Sequence, residues 1–171
     1  MEPTLSENQK NLGALIHIST FSKYFFPFAN FFAPLLLWTL NKEKPFVDHH
    51  GKEAINFQLS LLVYTLLIGL LCIPFFLMFV TDFVSLIETI EHTTHHVTFN
   101  EVSNLTGIVT LFGIAALLLF GLFVLELYAV ISAAVKASKG ESYKYPLSIP
   151  FIKTTNPVLA GTNQQENEHT S

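Results

Sequence analysis

Between Val102 and Val135 the chain runs 34 residues with a single charged side chain, Glu126. A carboxylate at that depth in an apolar helix is costly and faces a bundle interior or a water-filled cavity. It either lines a polar pathway or serves as a protonated or hydrogen-bonded acid that fixes packing. The side chains within reach by this reading are His17 in the first apolar segment, or Asn56 and Gln58 on the neighbouring long one. A second concentration of chemistry runs from Pro45 to Gln58: Asp48, His49, His50, Lys52 and Glu53 stand at a helix start, followed by Asn56 and Gln58. Two amides just inside an apolar run need hydrogen-bond partners, so both are expected to face other helices. The five residues from Asp48 to Glu53 read as a cap plus interhelical glue, or as a cytoplasmic docking face or ion-coordinating mouth.

A third cluster, Glu88, Glu91, His92, His95 and His96, places Glu88, His92 and His95 or His96 on one helical face. Imidazole and carboxylate suit zinc or copper, but no strict ligand signature is present and threonines interleave the cluster. It reads as a solvated acidic loop, and no metal or cofactor is assigned. There is no Gly-x-Ser-x-Gly, phosphate-cradling glycine loop or His-Glu-x-x-His, so the expectation is a protein that is not an enzyme.

The elements that carry these residues are set by apolar length. Ala54 to Thr81 is 28 residues without a charge, and about 20 apolar residues of helix suffice to cross a bilayer. With half of its residues apolar and 13% charged, the chain has more apolar surface than a soluble core of its size requires. All nine basic residues are lysine, which removes the bidentate clamps of nucleic-acid sites and excludes nucleic acid as a partner. Cys72 has no second cysteine to pair with, and the first residues lack the pattern of a cleaved signal peptide.

The lysines set topology. None occurs from Glu53 to Val135, so both ends of the long pair belong on the cytoplasmic side and the loop of about 82–101 lies outside. Asp48 is expected to cap the outgoing helix, 49–81. The returning helix, 102–138, should stop near Ser138 with Gly140 in the left-handed cap. In the first third, Lys10 and Lys23 bracket 12 uncharged residues and 24–41 offers 18, interrupted by Pro27 and Pro34. Two readings stand: short helices at 10–22 and 28–41 forming a re-entrant or thin hairpin, or one crossing at 24–41. Pro27 disfavours helix at Phe26 and so favours the hairpin, with the amino terminus cytoplasmic. Tyr143, Tyr145 and Phe151 suit the headgroup layer, and 154–171 reads as a disordered tail.

Three stretches, Asn11–Ser19, Ala33–Gln58 and Ala134–Leu147, together make the chain resemble the bacterial Tic-twenty-like family of small membrane proteins, a domain of unknown function related to a chloroplast inner-envelope import component. The resemblance implies four hydrophobic segments and a place in protein translocation or membrane-protein assembly. The expectation is thus an all-α, multi-pass protein of the bacterial inner membrane, with one membrane domain over 1–153. It should act as a non-enzymatic subunit of a larger complex, its partners the lipid bilayer and other membrane proteins or further copies of itself. The alternative is a small oligomeric channel or carrier with a pathway past Glu126.

Overall fold

The computed structural model describes residues 5–92 and 99–154, with side chains at all of these except 82, 85, 86, 88–92 and 99–105. Every regular element among them is helical: α1 (Glu7–Ser19), a 3-10 turn (Thr20–Tyr24), α2 (Ala29–Thr39), α3 (Pro45–His92) and α4 (Phe99–Ser138). The all-α class, with two short and two long helices, is therefore the observed one. The apolar stretches Pro45–Thr81 and Thr106–Ser138, of 37 and 33 residues, are long enough to cross a membrane. Only 6% of the most apolar window of each is buried, whereas the core helix of a soluble protein would be largely covered. The 11 residues of α2 extend about 16 Å and cannot span.

Local chemistry sets the ends. Ser6 caps α1, its Oγ accepting the Gln9 N–H at 3.3 Å. Helix α3 starts at Pro45, whose missing N–H costs nothing in a first turn. The cap expected of Asp48 is thus corrected: its N–H already bonds the Lys44 carbonyl at 2.9 Å. Its carboxylate accepts from Trp38 Nε1 at 2.9 Å and from Lys52 Nζ at 2.6 Å. Helix α4 ends at Ser138 in a Schellman motif. Gly140 takes φ +82°, Glu141 N–H reaches the Lys136 carbonyl at 2.9 Å, and Gly140 N–H reaches that of Ala137 at 2.9 Å.

The chain divides into two compact units, Met1–Leu62 with Leu125–Ser171, and Val63–Val124. In the first, Ile16, Val47 and Ala54 form the apolar core, with Leu12, Leu37 and Trp38 packed on it. Close approach depends on two glycines. A Cβ at Gly51 would lie 2.3 Å from the Trp38 ring, and one at Gly13 would lie 3.0 Å from Phe46 and 3.4 Å from Ala137. The second unit holds the remainder of α3 and α4, where Phe76 meets Phe112 edge-on at 6.4 Å and most large apolar side chains are exposed.

Candidate functional site

Beside its apolar core the first unit buries a set of polar side chains. His17, Thr20, His49, His50, Glu53, Asn56, Gln58, Ser60 and Glu126 are all buried, while Phe25, Phe26, Phe28 and Phe32 are exposed. Three hydrogen-bonded groups account for most of this interior.

The first runs across four elements. Lys23, in the 3-10 turn, pairs with Glu126 Oε2 on α4. Gln58 Nε2 on α3 donates to Glu126 Oε1 at 3.2 Å, and Asn30 Nδ2 on α2 donates to Gln58 Oε1 at 2.8 Å. Both carboxylate oxygens are engaged, as a charge removed from water requires. Of the partners expected for Glu126, Gln58 is present, whereas His17 and Asn56 belong to other groups.

The second group is a chain of rings. Tyr145 Oη lies 2.8 Å from His17 Nδ1, and His17 Nε2 lies 2.7 Å from His50 Nδ1. In neutral imidazoles one nitrogen donates and the other accepts. If His17 Nε2 carries the proton, His50 Nδ1 must accept and His50 is protonated at Nε2; if His50 Nδ1 carries it, His17 is protonated at Nδ1. The two rings therefore share one tautomeric sense. Burial, then the neighbouring His50 and His49, hold the His17 pKa well below the usual imidazole value; burial, then Tyr143, raises that of the Tyr145 phenol. The group neither gains nor loses charge near neutral pH through these two members. Tetrahedral coordination at about 2.0 Å would set two nitrogens near 3.3 Å apart, so the 2.7 Å contact is a hydrogen bond. Among the described residues no group of three or more His, Cys, Asp or Glu is placed to hold a metal ion.

The third group fastens the segment after α4. Glu53, Asn56 and Ser60 recur on one face of α3. Asn56 exchanges two bonds of 2.8 Å with the Ile152 backbone, donating through Nδ2 and accepting through Oδ1. Ser60 Oγ accepts the Ile149 N–H at 2.8 Å. Glu53 accepts from Thr154 Oγ1 at 3.0 Å and from the Tyr145 N–H at 3.4 Å. Tyr145 stacks on Phe57 with centroids 4.2 Å apart. Its expected place in the headgroup layer is corrected: Tyr145 is a core residue, because its hydroxyl finds a buried partner in His17.

These placements also revise the docking face expected at Asp48, His49, His50, Lys52 and Glu53. His49, His50 and Glu53 are buried, and only Asp48 and Lys52, paired with each other, are partly open. One turn of helix cannot turn all five outward, and the core takes three. His49 keeps both ring nitrogens buried without a hydrogen-bond partner. Lys23, Asn30, Ser60 and Tyr145 were not singled out by the sequence as partners. Lys23 served only as the edge of an apolar run, and an isolated Asn30 or Ser60 carries no pattern. Of the histidine cluster, His95 and His96 lie outside the described residues, and the side chains of Glu88, Glu91 and His92 are not described.

With this geometry in place, comparison with family models matches residues 8–152 to MamF/MmsF, the magnetosome magnetite crystal formation protein family. Comparison with curated proteins and with solved structures gives no match. The family match corrects the resemblance to the Tic-twenty-like family, and the expectation of a role in protein translocation falls with it. The block at Ala33–Gln58 that carried much of that resemblance is a turn, a helix entry and a set of buried packing residues, features set by local structure.

Proposed function

The chain belongs to the MamF/MmsF magnetosome magnetite crystal formation family, and from that premise we propose that it is a multi-pass, non-enzymatic component of the magnetosome membrane. It contributes to crystal formation as a subunit of a membrane assembly, alongside other membrane proteins or further copies of itself. The observation that carries this reading, beyond the match over 8–152, is the apolar outer surface of the first unit. Beside its apolar core, buried polar side chains bond to one another, and many large apolar ones face outward, as in a body solvated by lipid. The lysine distribution supports a cytoplasmic carboxyl terminus.

A pathway past Glu126 receives less support, because Lys23 and Gln58 occupy both of its carboxylate oxygens. Deleting the gene in its magnetosome-forming host should change the size or number of magnetite crystals seen by electron microscopy. Re-expression should restore them, with the tagged protein fractionating with magnetosome membranes. Unchanged crystals in the deletion strain, or a tagged protein absent from those membranes, would overturn the proposal.

A further inference from the structure

We infer that α1, the 3-10 turn and α2 form a re-entrant hairpin, its aromatic tip from Tyr24 to Phe32 seated among lipid acyl chains near the bilayer middle and both of its ends on one side. The contacts along each limb give the depth. On the way in, a Cβ at Gly140 would lie 3.3 Å from the Lys10 side chain and 3.4 Å from that of Leu5. Gly13 faces Ala137, and Lys23 reaches Glu126. On the way back, Asn30 meets Gln58 and Trp38 meets Asp48 and Gly51. The tip is therefore level with Glu126, ten residues before Lys136. That is about 15 Å of helix, half of a hydrocarbon core of about 30 Å.

The limbs, of 13 and 11 residues, match that half depth and are too short for a full crossing. Polarity at the tip is sorted by side. Lys23 and Asn30 turn inward, while Phe25, Phe26, Phe28 and Phe32 are 83%, 72%, 64% and 68% exposed. This surface lies at the level of Tyr128 and Ile131, which are exposed on α4 within its membrane-crossing stretch. The acyl chains that solvate that stretch are the one occupant continuous with the tip. A contiguous aromatic patch of this kind in water would be an aggregation site. Most amides of the tip are also paired within the backbone. The N–H groups of Phe25, Phe26, Ala29 and Phe31 bond carbonyls within the turn, and Pro27 has no N–H to satisfy. Phe28 makes the reversal at φ 62°.

The test uses the full chain with Cys72→Ala, reconstituted in phosphatidylcholine and phosphatidylglycerol vesicles and spin-labelled at single cysteines replacing Phe26, Tyr128 or Lys42. All three sites are exposed, so the labels displace no core packing. Power saturation with oxygen and with a water-soluble nickel complex should give an oxygen-to-nickel ratio at 26 equal to that at 128 and roughly tenfold above that at 42, as for a site in hydrocarbon. A ratio at 26 matching that at 42 overturns the inference. A second measurement places cysteine at Ser6 or Lys42 and applies an impermeant maleimide to sealed vesicles. Labelling from the same side is expected, and labelling from opposite sides overturns the hairpin.

Discussion

Lys23 and Glu126 are worth more as a pair than either is alone. Glu126→Gln leaves a lysine facing a buried amide, and Lys23→Met leaves a carboxylate with Gln58 as its remaining donor. Removing one partner of a buried pair costs about 3–5 kcal/mol, whereas replacing both can be nearly neutral. Lys23 keeps 28% of its side-chain surface open, so the low end of that range applies. The expected outcome is that each single variant unfolds at lower denaturant in detergent, while Lys23→Met with Glu126→Gln recovers at least half of the larger loss. Additive losses in a double-mutant cycle would mean that the two groups act independently. At this scale the sequence was half legible. Glu126 and Gln58 stood out because polar atoms in an apolar run must be satisfied. Lys23 did not, because a lysine ending an apolar run looks the same whether it faces water or reaches sideways to an acid.

The helices themselves were easier to read than their joints. Length and apolar content located α3 and α4, and Gly140 marked the end of α4, since each signal is carried by side chains along a continuous run. The start of α3 at Pro45 was missed because Asp48 is an equally good cap by type, and the Trp38 indole and the Lys52 ammonium together decide where its carboxylate points. The segment from Tyr145 to Thr154 was illegible for a different reason. Its anchors on α3 are partly bonds to the backbone of Tyr145, Ile149 and Ile152, and backbone groups have no sequence signature. Docking of α2 rests on the absence of a side chain at Gly51. Gly51→Ala places a methyl inside the Trp38 ring, so α2 must lift or α3 must bend. Overpacking of this kind costs typically 1–3 kcal/mol. The variant should show a red-shifted emission from Trp38, the chain's one tryptophan, while helix content by circular dichroism stays unchanged. An unshifted spectrum would mean that α2 does not rest on Gly51.

At the scale of the whole chain, the first unit is assembled from both ends of the sequence: residues up to Leu62 close on residues from Leu125 onward. Charge and apolar length pointed to two long apolar helices and a first third of short, proline-interrupted segments, but no pattern in the chain pairs position 17 with 145. That pairing makes a prediction about the molecule as a whole. A chain ending at Lys144 loses the Tyr145 hydroxyl and the bonds to Glu53, Asn56 and Ser60, so the amides of α1 should exchange hydrogen at least tenfold faster in vesicles, a loss of about 1.4 kcal/mol of local protection. Equal exchange in the shortened and full-length chains would show that α1 is held without that segment.

The same pairing orders events during synthesis. His17 waits 128 residues for Tyr145, Lys23 waits 103 for Glu126, and Asn56 waits 96 for Ile152. At a bacterial pace of about 20 residues per second, that is roughly 5 s in which the first two helices exist without the groups that neutralise and cover them. The first unit is therefore completed late: α1 and α2 are made first, Lys23 stays without Glu126 until α4 is made, and the unit closes only after the segment from Tyr145 to Ile152 has followed.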